Sequence, residues 1–257
     1  MAAEVLVPTS ADEAVSLYGD GETITVFAGG TILLPEIAAG RLRPERALML
    51  HRSGLDEVRV EDGVVRLGAM VPLAALTEAG DEVLARYVRH VADGEVRRNA
   101  TVGGNLCAPP GRESQRGDLG APLIALGARV RSTGKGGERT EPVEDFLSGD
   151  RSGRLMLEIE YDRVPRAWGV EGMRRRHAHS YAIANVAVCA TEDGGLRVGV
   201  AGVGPTAVRC RSVEQSRNAD DVLDDVEPVD DAVATASYRR KMLPLLVRRA
   251  LDQLENA

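Results

Sequence analysis

Along this chain the apolar positions switch repeatedly between helical spacing and strand alternation, and the switches mark out its elements. The opening residues read as a β–α–β unit. Ser10 or Asp12 can cap a helix carrying Ala14, Val15, Leu17 and Tyr18, and Thr23 to Phe27 is an apolar strand. Ile32 to Ala39 reads as a short helix and Arg46 to Leu50 as a second strand. Val58 to Gly68 alternates on both sides of Asp62-Gly63, which predicts a hairpin. Helices are expected around Leu73–Thr77 and Glu82–Val91. Leu119 to Leu126 is apolar throughout and fits a buried helix or a strand. Arg129 to Thr133 is a strand entering a tight glycine-rich turn, Gly134 to Gly137, and Leu155 to Tyr161 alternates like a half-exposed strand.

Around Val164–Gly172 the composition shifts, and Pro165 with Trp168 suggests a domain junction. Beyond it, Tyr181–Thr191 and Leu196–Val203 read as antiparallel strands turning at Asp193-Gly194-Gly195. The last segment is helical, with Leu243, Leu246, Val247, Ala250, Leu251 and Leu254 on one face. Pro244 lies inside that pattern and should start the helix or kink it. Strands and helices mix without a regular βαβ succession, which predicts an α+β fold rather than a doubly wound sheet. No G-x-G-x-x-G fingerprint is present, so a Rossmann dinucleotide site is not expected.

Composition narrows the function classes. Hydrophobic residues make up 44% and charged residues 28% of the 257 positions, as in an ordered globular chain rather than a disordered one. A net charge of −7 argues against general nucleic-acid or anionic-membrane binding. Cys107, Cys189 and Cys210 are odd in number and form no C-x-x-C pair, which argues against a disulfide framework and against zinc or iron–sulfur ligation. His177 and His179 would share one face of a strand, where a solvated pair outweighs a metal site. The N-terminus has no signal-peptide pattern and no stretch approaches twenty apolar residues, so the expected compartment is the cytoplasm.

The chemistry is carried by two glycine stretches, Phe27-Ala28-Gly29-Gly30-Thr31 and Ala100-Thr101-Val102-Gly103-Gly104-Asn105. Consecutive glycines permit positive φ and remove the Cβ, so backbone N–H groups can converge on a bulky anion. A single Gly-Gly usually marks a plain turn. Two of them, each beside a hydroxyl or amide residue, could grip a pyrophosphate from both sides. The Gly134-Lys135-Gly136-Gly137 run lacks the Lys-Ser/Thr of a phosphate loop and is read as a hairpin turn.

The stretches Val26 to Pro35 and Val96 to Leu106 resemble, in that order, the two flavin-binding loops of the FAD subunit of molybdenum hydroxylases. The likeness continues through Asp118–Leu126, Gly202–Arg209 and Ser237–Leu251, and so spans nearly the whole chain. It implies two α+β subdomains, about 1–55 and 56–164, clasping an extended FAD in a PCMH-type fold, with a C-terminal α+β domain over 165–257. It implies that Phe27, Ala28, Gly29, Gly30, Thr31, Ile32 and Leu33 wrap the pyrophosphate from one side. Thr101, Val102, Gly103, Gly104 and Asn105 would do so from the other, and Asp118 would hydrogen-bond the flavin's sugar part. Val91 and Leu155 align with apolar positions that pack on the cofactor, although plain core packing explains them equally well.

Three departures from the resemblance stand out. Ile32 replaces an acidic or hydroxyl residue, the Asn105–Asp118 stretch is longer, and Gly172 stands where a basic residue is common. Arg174, Arg175 or Arg176 could substitute for that residue, or could simply form a solvated strand edge. The implied function is the FAD-binding electron-transfer subunit of a molybdenum-containing dehydrogenase, with an iron–sulfur small subunit and a molybdopterin large subunit as partners. A free-standing FAD-dependent oxidoreductase is the alternative. No catalytic acid–base or nucleophilic set and no metal site is expected.

Overall fold

A computed structural model describes residues 3–78, 81–109, 118–163, 166–175 and 181–255. The first unit is β1 (Glu4–Leu6), α1 (Ala11–Tyr18), β2 (Ile24–Phe27), α2 (Leu33–Ala38) and β3 (Arg46–Met49). Its strands form a parallel sheet in the order β1-β3-β2. Ser10 caps α1, its Oγ accepting from the Glu13 N–H at 3.1 Å, and the helix buries Ala14 and Tyr18. Phe27 ends β2 where the first glycine turn begins.

The second unit opens with β4 (Val58–Glu61) and β5 (Val64–Gly68), joined through Asp62 and Gly63 at φ 50° and 79°. Two positive φ values fit the turn type that matches strand twist in a two-residue hairpin. Then come α3 (Glu82–Tyr87), α4 (Gly94–Asn99), α5 (Val102–Leu106), α6 (Gly120–Leu126), β6 (Arg129–Gly134), β7 (Arg139–Pro142), α7 (Val143–Ser148) and β8 (Arg154–Asp162). The strands make an antiparallel sheet in the order β4-β5-β8-β6-β7. Leu73–Thr77 is a 3-10 turn rather than an α-helix, and the run Leu119–Leu126 resolves as the buried helix α6.

The expectation of a half-exposed strand over Leu155–Tyr161 is corrected. Strand β8 lies at the centre of its sheet and is covered on both faces. Leu155 and Leu157 pack against α1 and β3, whereas Met156, Ile159 and Tyr161 face the main core. A register shift between Arg131 and Ser132 changes the parity along β8, so simple alternation fails here. Glu158 and Glu160 are the charged residues of that run, Glu158 buried and paired with Arg59 and Arg131, Glu160 partly exposed.

The third unit comprises β9 (Trp168–Arg174), β10 (Ala182–Ala190), β11 (Leu196–Ala201), β12 (Val208–Arg209), α8 (Arg211–Ser216), α9 (Val222–Asp225) and α10 (Ala236–Glu255). Its antiparallel sheet runs β12-β11-β10-β9. Helix α6 packs on one face, where Gly199 lies against the Ala121 carbonyl, and α10 packs on the other, where Gly169 lies against the Ala250 carbonyl. Two sequence expectations change here. The segment from Trp168 to Gly172 is strand rather than connector, and α10 runs on both sides of Pro244, which therefore does not start it. The C-terminal unit is pinned by Arg239, fully buried, which donates to the carbonyls of Ile183, Val229 and Ala234 and to the Asp231 carboxylate at 2.8 Å.

Candidate functional site

The two glycine stretches meet. An ideal Cβ on Gly29 would lie 1.8 Å from the Asn99 carbonyl oxygen, so the first turn is pressed against the backbone entering the second. Gly103 is likewise closed in by Ala69 at the end of β5, with a Cβ 2.9 Å from its carbonyl oxygen. Gly30 has φ 72° and takes the left-handed conformation that glycine favours. Packing between segments, before any ligand, therefore requires the absence of a side chain at Gly29 and Gly103.

The second stretch is a helix start rather than a loose turn. Thr101 caps α5, its Oγ1 accepting from the Gly104 N–H at 3.1 Å, while the Gly103 N–H bonds the Ala69 carbonyl at 2.8 Å. The N–H groups of Gly103 and Gly104 are thus already used inside the protein. The N–H groups of Gly29 through Leu33 bond no described residue. Asn105 Oδ1 accepts from the Leu119 N–H at 2.9 Å, which ties Asp118 to the second stretch and leaves the Asn105 amide nitrogen without a described partner.

Between the stretches opens a cleft of about 340 Å³. Of the residues singled out from the sequence, Ala28, Gly29, Gly30, Thr31, Ile32, Leu33, Val91, Thr101, Gly103, Gly104, Asn105, Asp118 and Leu155 line it. Phe27 and Val102 do not. Both are buried, Val102 in the main core. Ile32 sits at the start of α2 with no side-chain cap bond, so the departure from a polar residue leaves an apolar wall there. Ala92 lines the cleft at φ 49°, a strained conformation for a non-glycine residue, and Arg97 holds it by donating to the Val91 and Ala92 carbonyls.

Arg154 is the cleft-lining residue that the sequence reading missed, because a charged residue at a strand end reads as surface. Its guanidinium is the one Arg or Lys group on the cleft wall among the described residues. Arg154 is buried, and its nitrogens donate to Ser132 Oγ and to the carbonyls of Ser132, Lys135 and Gly137. None of these acceptors is charged, so no carboxylate neutralises it through a hydrogen bond. Tyr181 and Met156 were also missed. Each lies beside a residue or strand that was read correctly, but which way a side chain faces depends on partners distant in sequence.

Burial pushes the Asp118 carboxyl up to about 6, against the opposing effect of a 3.1 Å hydrogen bond from Asn185 Nδ2. Of the possible substitutes for the basic residue near Gly172, Arg175 donates to the Ala232 and Val233 carbonyls, and Arg174 is exposed at the end of β9. Arg176, His177, His179 and the Arg112–Gly117 stretch lie outside the described residues. Among the described residues no group of three or more His, Cys, Asp or Glu could hold a metal ion, and no helix is long and apolar enough to cross a membrane.

The residues present fit a dinucleotide with a pyrophosphate bridge. Backbone N–H groups of Gly29 to Leu33 that bond no described residue and the buried Arg154 guanidinium line the same cleft, and Val91, Leu155, Ile32 and Leu33 offer apolar surface on which flat rings can rest. Comparison with known proteins agrees. The family described as FAD binding domain in molybdopterin dehydrogenase matches residues 1–161. The carbon monoxide dehydrogenase medium chain of Hydrogenophaga pseudoflava is 30% identical, over 97% of this chain and 96% of that one. The alpha subunit of the 6-hydroxypseudooxynicotine dehydrogenase complex of Paenarthrobacter nicotinovorans is 26% identical, over 96% and 93%. The solved structure of the Hydrogenophaga pseudoflava carbon monoxide dehydrogenase superposes with a TM-score of 0.84 at 27% identity, covering 100% of this chain and 98% of that one. The chain belongs to the family of FAD-binding domains of molybdopterin dehydrogenases, as an FAD-binding subunit of the molybdenum hydroxylase kind.

Proposed function

We propose that this chain is the electron-transfer flavin subunit of a molybdenum-containing dehydrogenase complex, with FAD held in the cleft between the two glycine stretches. The observation that carries the reading is the convergence of those stretches, from segments far apart in sequence, on one apolar cleft that the buried Arg154 also lines. Residues 1–164 form the cofactor-binding unit, with subdomains at about 1–55 and 56–164, and residues 165–257 the C-terminal unit. The N–H groups of Gly29 to Leu33, with Thr31 and the Asn105 amide, donate to the pyrophosphate. Arg154 adds positive potential without giving up its own hydrogen bonds. Asp118 accepts from a hydroxyl of the cofactor's sugar part. Val91, Leu155 and Ile32 exclude water from the ring faces.

FAD held there by the Gly29–Leu33 amides, Asn105 and Asp118 would supply the electron-transfer chemistry, between iron–sulfur clusters of a small subunit and an acceptor. The chain's own residues bind, orient and shield, which is the usual share of a protein in cofactor chemistry. An iron–sulfur small subunit and a molybdopterin large subunit are the partners this reading requires. The complex-subunit names of the relatives support it. The compartment in this reading is the cytoplasm, and the three free thiols are compatible with its reducing conditions. A second reading, a free-standing FAD-dependent oxidoreductase, draws on the apolar Ile32 at the cleft.

The purified chain should absorb as a flavoprotein and release FAD rather than FMN on denaturation. Colourless protein that takes up no added FAD would refute the assignment. In anaerobic bleaching assays the lone chain should accept electrons from an artificial donor but from no metabolite. Adding the cluster-bearing and molybdenum-bearing subunits should create substrate-dependent bleaching. Rapid bleaching of the lone chain by a metabolite would instead establish the free-standing enzyme.

A further inference from the structure

Strand β10 is apolar along its length except at Asn185, which is 1% exposed and sits among alanine, isoleucine and valine neighbours. Its amide makes one side-chain bond to the cleft region, Nδ2 donating to Asp118 Oδ1 at 3.1 Å. Its Oδ1 is buried with no hydrogen-bond partner. A buried acceptor left unpaired is costly, and an apolar residue of similar size would remove that cost. Its donation to Asp118, alongside a side-chain hydrogen bond to the Tyr87 phenol, is what distinguishes Asn185 from such a residue.

The surroundings are arranged to admit this amide. Gly172 is directly opposite Asn185 on β9, and a Cβ there would come within 2.6 Å of Asn185 Oδ1 and 2.8 Å of His90 Nδ1. Tyr87 on α3 donates its OH to the Asp118 backbone carbonyl at 2.8 Å and fixes the residue from the other side. Among the described residues Asp118 has no cationic partner, and Asn185 is the one side chain that donates to its carboxylate. His90, with Arg86 and Arg174 near it, is the charged neighbourhood beyond Asn185.

We propose that Asn185 is a positioning residue of the cofactor site, orienting the Asp118 carboxylate as an acceptor for the cofactor, so that the C-terminal sheet completes a site built mainly from the first two units. The inference rests on the reading that FAD occupies the cleft with Asp118 against its sugar part. It assigns a binding role to a segment beyond residue 161, where the family match ends.

The test is FAD titration of the full apo chain by flavin fluorescence between pH 5 and 8. Wild-type affinity should fall about tenfold as pH drops through the region where Asp118 takes up its proton, the size expected for one charge-assisted hydrogen bond. Asn185→Leu should move that inflection upward by roughly one pH unit. Asp118→Asn should flatten the profile, and adding Asn185→Leu to it should cost no further affinity. Gly172→Ala, which crowds the amide, should shift the inflection in the same direction and serves if Asn185→Leu does not fold. An Asn185→Leu profile superimposable on wild type, or an equal loss in the Asp118→Asn background, would overturn the inference while leaving FAD binding intact. Absence of FAD binding by the wild type at every pH would instead overturn the parent reading.

Discussion

Replacing Asp118 by asparagine should stabilise the apo protein at neutral pH, and the structure gives the size of the effect. Burial raises this carboxyl from 3.8 to about 6, against the opposing hydrogen bond from Asn185. The native carboxyl thus keeps its proton to a higher pH than the unfolded chain does. For such a group stability is fully present below about pH 4, declines as pH rises toward about 6, and is flat above. The shift corresponds to about 3 kcal/mol against the charged native form. The carboxyl is half-buried and solvent screens part of this, which leaves about 1–2 kcal/mol. An asparagine removes the charge yet still offers an oxygen to Asn185 Nδ2. The expected gain for Asp118→Asn is therefore about 1–2 kcal/mol at pH 7.5, or roughly 2–8 °C in Tm, and nearly nothing at pH 4. Urea unfolding of apo wild type and variant at both pH values measures it. Equal differences at the two pH values, or a variant less stable at pH 7.5, would refute the reasoning. The same variant should bind FAD more weakly, so stability and cofactor affinity move in opposite directions.

Two further substitutions separate packing from ligand approach. Gly29→Ala places its Cβ 1.8 Å from a backbone oxygen and should destabilise the fold by about 3 kcal/mol or more. Gly104→Ala meets only Thr101 Oγ1 at 3.0 Å and Ala28 at 3.4 Å and should stay within about 1 kcal/mol of wild type. The branched Gly104→Val should lose FAD while keeping its far-ultraviolet circular dichroism. Wild-type FAD affinity in Gly104→Val would make the second stretch a capped turn and nothing more. Arg239→Met takes the cation from the buried Asp231 carboxylate, which keeps the Val233 and Ala234 N–H groups, and one donor from the carbonyls of Ile183, Val229 and Ala234, and should cost about 3–5 kcal/mol in denaturant unfolding. A cost below 1 kcal/mol would show that water reaches those groups.

The features legible in the sequence are the ones governed by neighbours a few residues away. The Ser10 cap and the helix after it, the Asp62-Gly63 hairpin, the β10–β11 pair and the apolar face of α10 all follow from turn chemistry and short-range periodicity. The two glycine stretches were visible for the same reason, and so was the α+β character. Tertiary structure decided the rest. The burial of β8 on both faces depends on a register shift against β6 and on a separate sheet packed over Leu155 and Leu157. Gly29 and Gly103 are required by the Asn99 and Ala69 backbones, contacts that no local pattern encodes. Arg154 reads as a surface charge in sequence, but its place at the end of a central strand turns it inward, where carbonyl oxygens hold it at the cleft. Asn185 is a single polar residue in an apolar strand, and it gains meaning only when α6 brings Asp118 within 3.1 Å. Short-range chemistry sets which elements form. What each side chain meets is set by how those elements stack, because the contacts join residues tens of positions apart.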